Sequence, residues 1–239
     1  MKLYYDLHIH SCLSPCGDND MSPYNLVNMA KIFGYDIIAL TDHNTCKNCG
    51  SAMKIGEKIG ITVVPGMELC TSEEIHNVCL FPTLDKAMAF SDYIYGTLPP
   101  VKNREKIFGE QLIMDCEDGI IGKEEILLTT ASSVSISELD ELVKKYGGVS
   151  YPAHIDRNSY SIISSLGDFP YEVESRCFEL TPKAKAEDYL EKYPATKGRL
   201  IIRSSDAHYL TNMREPEFMI DLPENSAEAL IEYLKGRHS

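Results

Sequence analysis

The stretch Leu3-Tyr4-Tyr5-Asp6-Leu7-His8-Ile9-His10-Ser11 is a short apolar run, rich in strand-forming residues, that ends in two histidines. Side chains alternate along a strand, so His8 and His10 would point to the same face, about 7 Å apart along the backbone. Two imidazoles at this spacing can reach one cation, although a single His-x-His pair more often satisfies local hydrogen bonds. The segment therefore predicts a first strand whose C-terminal end carries two candidate metal ligands.

Further strands and helices are predicted to alternate along the rest of the chain. Apolar runs of strand composition lie at residues 36–41, 61–69, 77–81, 148–153, 177–180, 200–204 and 218–222. Stretches with helical spacing lie at residues 23–33, 51–59, 84–95, 135–146, 182–193 and 226–235. Ser22-Pro23 is typical of a helix start, and Gly34, Gly60 and Gly147 are typical of helix ends. Near-continuous apolar strands that alternate with helices favour a parallel α/β sheet covered on both faces.

The length of the chain fits one such unit. About seven strand–helix units in 239 residues favour a closed α/β barrel over an open sheet, as a single domain covering residues 1–239. Residues 98–130 are less regular: they contain Pro99-Pro100, a small basic cluster from Lys102 to Lys106 and an acidic stretch with several glycines at residues 115–122. We expect this segment to be an insertion or cap.

Composition limits the classes of function. The chain is 44% hydrophobic and 25% charged, which is typical of a folded globular protein, and its formal net charge is −13. Such a charge disfavours an extended nucleic-acid-binding surface. No apolar run approaches the roughly 18 residues that a membrane helix needs, and no export signal is visible, so we expect a cytoplasmic protein without a membrane partner. The eight cysteines are then best interpreted as reduced thiols.

More histidines and acids follow other predicted strands, at the C-terminal ends where parallel α/β barrels place their active sites. They lie in the segments Thr41-Asp42-His43, Pro65-Gly66-Met67-Glu68, Glu74-Ile75-His76, Ala153-His154 and Ser205-Asp206-Ala207-His208. Six of the seven histidines lie at or near strand ends, and only His238 falls in the tail. Imidazole and carboxylate ligands suit zinc, manganese or iron better than calcium or magnesium. The pattern predicts a multinuclear transition-metal site.

Together with residues 6–11, these segments resemble the motifs of the polymerase and histidinol phosphatase (PHP) family, over residues 3–208. The resemblance implies a distorted (β/α)7 barrel with its metal site at the C-terminal ends of the strands. It also implies up to three divalent metal ions (Zn, Mn or Fe) and metal-dependent phosphoester hydrolysis.

The resemblance also implies a set of ligands. The first metal would be held by His8, His10, Glu68 and Asp206. The second would be held by a loop acid with His43 and His208, and the third by Glu68 as a bridge with His76 and His154. The family usually has an Asp or His about five residues beyond the second histidine of the first motif, where this sequence has Pro15. Asp18 is our preferred substitute and Asp20 the weaker candidate, and either could be only a turn residue.

The clustered metals suggest a mechanism. A hydroxide that bridges two metal ions can attack phosphorus in line, so no side-chain nucleophile is needed. Asp206 or His208 is expected to pass a proton to the leaving oxygen. Asp6 and Asp42 are candidates to orient ligand histidines, with simple structural hydrogen bonding as the alternative.

Phosphate binding favours a planar bidentate donor. Arg157 follows His154 closely and is the first candidate, ahead of Arg203 and Arg176, although salt bridging is the commoner role of a single arginine. Two cysteine pairs, Cys12 with Cys16 and Cys46 with Cys49, could instead hold a separate metal, but structural thiols are the better interpretation.

The sequence thus predicts a phosphatase that acts on a small phosphorylated substrate, with a phosphomonoester as the first choice. The alternative is a phosphoesterase acting on nucleotides, nucleotide bisphosphates or oligonucleotide ends. A noncatalytic metal-binding module is a third possibility, which the nearly complete ligand set disfavours. The sequence leaves the oligomeric state open.

Overall fold

The computed structural model describes residues 1–236, so His238 lies outside the described part of the chain. Within it the strands are β1 Lys2–Ile9, β2 Ile37–Leu40, β3 Thr62–Cys70, β4 His76–Leu80, β5 Leu112–Met114, β6 Ile120–Lys123, β7 Val149–Pro152, β8 Cys177–Leu180, β9 Leu200–Arg203 and β10 Met219–Asp221. The helices are α1 Pro23–Phe33, α2 Cys49–Ile59, α3 Leu84–Tyr95, α4 Glu105–Phe108, α5 Ile136–Lys145, α6 Ile162–Leu166, α7 Ala186–Lys192 and α8 Ala227–Leu234. The eight predicted strands and six predicted helices are all present, with bounds that differ by a few residues.

The main sheet has the strand order β10-β1-β2-β3-β4-β7. Strands β1, β2 and β3 are parallel, whereas β4 is antiparallel to both β3 and β7, and β10 is antiparallel to β1. The expectation of a wholly parallel sheet is therefore wrong at β4 and β10. Only residues 71–75 separate β3 from β4, and a parallel connection would need a crossover of a dozen or more residues.

Strands β8 and β9 form a separate parallel pair that begins to close the sheet. Just after β9, Ala207 forms a parallel bridge with Ile9 at the end of β1, and the Ala207 carbonyl accepts a hydrogen bond from the His10 N–H at 3.0 Å. The sheet thus curls into a half-barrel. The α/β class is confirmed, and the arrangement is compatible with the distorted barrel implied by the resemblance. The count of seven strand–helix units stays a prediction.

The helices begin and end where the local sequence satisfies their backbone groups. At the start of α1 the Ser22 side chain accepts a hydrogen bond from the Asn25 N–H, and Gly34 ends the helix with a φ of 91°. Buried aliphatic side chains such as Leu26 and Val27 fix the helix on the sheet, at about 1.5–3 kcal/mol for each fully buried side chain. These contacts hold the strand ends in place.

Residues 98–130 contain the short helix α4 and the hairpin β5–β6, which the sequence did not predict. The Leu112 N–H donates to the Cys12 carbonyl at 3.0 Å, and the Asn48 side chain bonds the backbone of Leu112 and Met114. The segment thus packs beside the loops that follow β1 and β2. Its role as an insertion or cap stays a prediction. Within residues 1–236, no helix has both the length and the apolar character needed to cross a membrane.

Candidate metal centre

Glu68 lies at the centre of a buried cluster of histidines. Its side chain is 1% exposed, and its residue forms a parallel bridge with His43 where β3 passes the end of β2. The carboxylate has five histidine nitrogens within 3.3 Å: His76 Nδ1 at 2.9 Å, His43 Nδ1 and His154 Nε2 at 3.0 Å, and His8 Nε2 and His10 Nε2 at 3.3 Å. Histidines from four different strand ends therefore converge on one carboxylate.

Asp206 forms the second acidic part of this cluster. Its Oδ1 atom lies 3.1 Å from His10 Nε2 and 3.4 Å from His8 Nε2, and its Oδ2 atom pairs with Arg157 at 2.6 Å. His208 stacks on the His10 ring at 4.1 Å, with its Nδ1 atom 2.9 Å from the Asp206 carbonyl oxygen. The loop after β9 thus brings both of its predicted ligands to the end of β1.

Three groups of donor atoms are close enough together to share a cation. They are His8, His10, Glu68 and Asp206; His43, Glu68 and His76; and His10, His43 and His208. The first group is the set that the family resemblance implies for the first metal. The other two contain most of the sets implied for the third and second metals. His154 contacts Glu68 but is not in the second group.

Several buried polar atoms of the cluster lack the hydrogen-bond partners that the protein could provide. His8 Nε2 and His10 Nε2 lie 3.1 Å apart, and His154 Nδ1 is buried without a hydrogen-bond partner. His43 Nδ1 and Asp206 Oδ1 are also buried, and their close contacts with Glu68 and His10 do not have the geometry of hydrogen bonds. Buried polar atoms normally have partners. Lone pairs that converge on one point are what a cation requires, and nitrogen and carboxylate oxygen are suitable donors for zinc, manganese or iron. The residues therefore fit divalent metal ions.

The electrostatics of the cluster favour bound positive charge. Burial opposes ionisation of Glu68, but the positive charges of His76, His8 and His43 outweigh it and hold the pKa of Glu68 well below its usual range. Burial likewise opposes the charged form of His8, but Glu179, Asp206 and Glu68 raise its pKa well above the usual value. Glu68 thus stays anionic, and the positive charge beside it is carried by protons on the imidazoles or by a cation that replaces those protons.

Glu179 is a candidate functional residue that the sequence did not reveal. It lies in β8, is 1% exposed, and both of its oxygens lie 3.1 Å from His8 Nδ1. It also accepts the His154 N–H at 3.1 Å. With Nδ1 donating to this carboxylate, the His8 Nε2 lone pair faces Glu68 and Asp206, which is how carboxylates orient metal-binding histidines.

Two consecutive hydrogen bonds orient the ring of His10. Its Nδ1 atom bonds Ser14 Oγ at 2.9 Å, and Ser14 in turn donates to Asp42 Oδ1 at 2.8 Å. Asp42, expected to orient a ligand histidine, therefore acts through a hydroxyl group. Asp6 accepts hydrogen bonds from backbone groups near the ligands, from the N–H of Ser205 at 3.1 Å and of His8 at 3.3 Å.

Three non-glycine residues at this site have left-handed backbone geometry. His154 has a φ of 29°, Asp206 a φ of 50°, and Asn44, directly after His43, a φ of 53°. Non-glycine residues rarely adopt such angles, and they concentrate at functional sites where the surroundings hold them in place. The backbone thus turns sharply after β2, β7 and β9, where His43, His154 and Asp206 are delivered.

The structure does not bring Asp18 or Asp20 into any of the three donor groups. Asp18 Oδ1 accepts a hydrogen bond from the Asp20 N–H at 2.8 Å, as a turn residue does. Cys16 is exposed and also lies outside these groups, beside His43 and His208. Partial burial raises the pKa of Cys16, but the His43 charge and the interaction with both rings outweigh it and lower that pKa to about 5.

The two cysteine pairs do not form a separate site. Cys46 donates to the Gly66 carbonyl at 3.1 Å, and Cys49 to the Leu40 carbonyl at 3.6 Å, and both are buried in the apolar core. Cys12 instead packs with Leu112 and Met114 on the other side of the loop.

A cavity of about 420 Å³ opens onto Asp206 and His154. Its charged lining residues are the basic Arg157, Lys183, Arg203 and Arg214 and the acidic Asp6, Glu179, Asp206, Glu215 and Glu217. Arg157 is half-exposed at the rim, whereas the Arg203 guanidinium is already held by the carbonyls of Thr181 and Ala184 at 2.7 and 2.8 Å. Arg176, the third candidate, lines a different cavity.

An α/β fold with a metal-binding histidine–carboxylate cluster at the strand ends defines a metal-dependent hydrolase. The family model of the PHP domain matches residues 6–194, so the chain belongs to the PHP family of metal-dependent phosphoesterases.

Known proteins that resemble the chain include nucleases. A 5′-3′ exoribonuclease of Haemophilus influenzae is 37% identical over 74 residues, which is 31% of this chain and 26% of the relative. The chain spans 54% and 26% of the length of two curated relatives that it matches.

Solved structures share the fold at lower sequence identity. The lesion-specific endonuclease EndoQ of Pyrococcus furiosus has a TM-score of 0.71 and 18% identity over 100% of this chain and 57% of that chain. Endonuclease Q in complex with a 27-mer duplex carrying an abasic lesion gives a TM-score of 0.69, with 18% identity, over 100% of this chain and 58% of that chain. A Bifidobacterium adolescentis protein provisionally described as a metal-dependent phosphoesterase gives 0.59 with 16% identity, over 98% of this chain and 96% of that chain.

Proposed function

We propose that this protein hydrolyses a small phosphomonoester at the metal cluster. The observation that carries this proposal is the cavity of about 420 Å³, which joins two predicted ligands, Asp206 and His154, to four basic side chains. Its size is that of a small-molecule site, and its cations suit a phosphate group.

Up to three divalent ions would be held by His8, His10, His43, Glu68, His76, His154, Asp206 and His208, the predicted ligands that cluster. When bound, such ions lower the pKa of water and neutralise charge on a phosphoryl group. Glu179 and the Ser14–Asp42 pair fix the rings of His8 and His10 so that their Nε2 atoms face the cluster. This fixed arrangement supports catalysis because the donors do not have to reorganise during the reaction.

Metal binding to this cluster is expected to stabilise the fold. Adding zinc or manganese to metal-stripped protein should raise Tm, because a ligand that binds only the native state stabilises it by about 2.7 kcal/mol at one hundred times its Kd. Differential scanning calorimetry at increasing metal concentration measures this shift. A Tm that responds to neither metal would contradict the proposed site.

Arg157 is the residue that we propose for orienting the phosphate. Its guanidinium reaches Asp206 at the rim while 43% of its side chain stays exposed, so it can contact a bound anion as well. For proton transfer to the leaving oxygen, His208 is better placed than Asp206. Asp206 is paired with Arg157 and only 5% of its side chain is exposed, whereas the His208 side chain is 21% exposed.

The variant Arg157→Ala is expected to raise KM for a phosphate substrate about tenfold or more, since hydrogen bonds to charged groups contribute about 1.5–3 kcal/mol. Metal content should stay that of the wild type. Arg176→Ala is the matched control, because Arg176 lines a cavity away from the cluster. Steady-state kinetics with elemental analysis measures both effects, and equal KM values for the two variants would remove Arg157 from the substrate site.

A second candidate function is hydrolysis of a nucleotide or an oligonucleotide end. The half-buried ring of Phe218 lines the cavity, and the Tyr160 ring, 47% exposed, stacks on His76 at 4.7 Å. Aromatic faces of this kind bind bases by stacking. The similarity to an exoribonuclease and to a lesion-specific endonuclease supports testing this class. The absence of an extended nucleic-acid-binding surface stays a prediction.

One assay separates the candidates. Zinc-, manganese- and iron-loaded protein is tested against sugar phosphates, amino-acid-derived phosphates, mononucleotides, nucleotide bisphosphates and short oligonucleotides. Preference for the first two supports the phosphomonoester proposal, and preference for the others supports the second candidate. No release from any substrate by protein of verified metal content would favour the noncatalytic module.

A further inference from the structure

We propose that Tyr160 is a positioning residue for the metal centre: the inner face of its ring holds the imidazole of His76 in the orientation that binds a cation. The proposal rests on the metal site of the proposed function, but not on the identity of the substrate. The exposed outer face of the Tyr160 ring takes no part in this role.

His76 begins strand β4, whereas the other predicted ligands lie near or after the C-terminal ends of strands. Strand β7, the neighbour of β4, ends at Pro152, opposite Asn77. Beyond that point the Ala153 N–H donates to the His76 carbonyl at 3.0 Å, and the His76 N–H donates to the Tyr160 carbonyl at 2.9 Å. Tyr160 thus takes the place of a strand neighbour and fixes the backbone of His76.

The ring of Tyr160 fixes the side chain of the same histidine. The two ring centroids lie 4.7 Å apart, and the ring planes are 20° from parallel. Rotation of the imidazole about its Cβ–Cγ bond would break this contact, so stacking holds the ring plane in which His76 Nδ1 lies 2.9 Å from Glu68 Oε1. The His76 side chain is 12% exposed and Tyr160 is 47% exposed, so Tyr160 is the outer of the two rings.

Metal-binding histidines are usually oriented by a hydrogen bond to the ring nitrogen that does not bind the metal. Glu179 supplies such a bond to His8, and Ser14 supplies one to His10. His76 instead lies flat against an aromatic ring. A cation on its Nδ1 atom would withdraw electrons from the imidazole, and the negative face of the tyrosine ring attracts a positively polarised group. The stacking should therefore strengthen when metal binds, and so contribute to the affinity for metal.

The backbone of Tyr160 is held in a strained geometry. Its φ is 54°, in the left-handed region that aromatic residues rarely adopt, and such strain concentrates at functional sites. The next residue holds it there: the Ser161 hydroxyl donates to the Arg157 carbonyl at 2.7 Å and accepts the Ser164 N–H at 3.1 Å, which caps α6. A glycine would adopt this angle without strain. What the chain gains from a tyrosine at this position therefore lies in its side chain.

The test measures zinc binding to the full metal-stripped chain by titration against a chromogenic chelator. Tyr160→Gly keeps the backbone carbonyl and relieves the left-handed strain, so Tm of the metal-stripped protein should not fall. Its Kd for zinc should rise about tenfold at one site, the lower figure for removing a group that orients a ligand. Tyr160→Phe keeps the ring and should bind zinc as the wild type does. Tyr171→Gly, at an exposed tyrosine between α6 and β8, is the matched control and should also keep the wild-type Kd.

A double-mutant cycle shows whether Tyr160 acts through His76. In a His76→Ala background the further change Tyr160→Gly should leave the zinc Kd unchanged, because the imidazole that Tyr160 positions is absent. A further loss of affinity in that background, or an unchanged Kd in Tyr160→Gly alone, would overturn the role of Tyr160 and leave the metal site intact. A lower Tm for metal-stripped Tyr160→Gly would also overturn it, by identifying a structural residue. Wild-type protein that binds no zinc would overturn the metal site together with this inference.

Discussion

Replacing Glu68 with glutamine is expected to abolish phosphoester hydrolysis and to remove more than one metal ion per chain. The carboxylate lies within 3.3 Å of five histidine nitrogens and belongs to two of the three donor groups. Glutamine keeps the shape of the side chain but removes the charge that binds cations. The loss of activity should exceed about 100-fold, the upper figure for substituting a residue that only orients a ligand.

Glu57→Gln is the matched control for Glu68→Gln, because Glu57 is exposed on α2, away from the cluster. Metal content by elemental analysis and initial rates on the best substrate of the panel are compared between the two variants. If Glu68→Gln kept its full metal content and rate, Glu68 would not be the bridging ligand. Circular dichroism shows whether either variant has lost its fold.

Substitution of Glu179 by glutamine is expected to weaken metal binding by about 10–100-fold, the usual effect of removing a carboxylate that orients a ligand histidine. Glutamine can still accept one hydrogen bond from His8 Nδ1, but it no longer supplies a charge or a second equivalent oxygen. His8 should therefore be a weaker donor, although its own position in β1 is unchanged.

Metal titration of Glu179→Gln by calorimetry measures this effect, with Glu187→Gln on the exposed face of α7 as the control. An equal Kd in both variants would mean that Glu179 is only a buried structural acid. A loss of Tm in the metal-stripped Glu179→Gln protein would reveal such a structural role, because metal does not contribute to that measurement.

The strands and helices could be predicted because their apolar periodicity and end residues are local. The Ser22 cap and the left-handed Gly34 and Gly60 lie where the sequence placed them. The direction of β4 was not predicted, because an apolar run carries no information about direction. The five-residue connection from β3 to β4 did carry that information, since it is too short for a parallel crossover.

Most of the candidate site was predictable for a different reason. Most of the histidines and acids lie near the C-terminal ends of strands, which converge. His76 is the exception, because it begins the antiparallel strand β4 and reaches the same edge from the opposite direction. Glu179 gave no such signal, because it lies within the apolar strand Cys177–Leu180 rather than after it, and only its isolated charge in that run could have revealed it. Cys16 was missed as a neighbour of His43 and His208 because a turn of three or four residues has no periodicity. Its geometry depends on contacts with Gly109 and His208 far along the chain.

The bridge between Ile9 and Ala207 has a consequence for how the protein is made. His8 and Asp206 are 198 positions apart, so a chain emerging from the ribosome exposes its first two histidines long before their acidic partner is synthesised. The complete centre can therefore acquire its ions only late in biosynthesis. An ion bound there would act as a cross-link between the two ends of the fold, comparable to a disulfide closing a loop of roughly 200 residues, for which chain entropy alone gives about 5 kcal/mol.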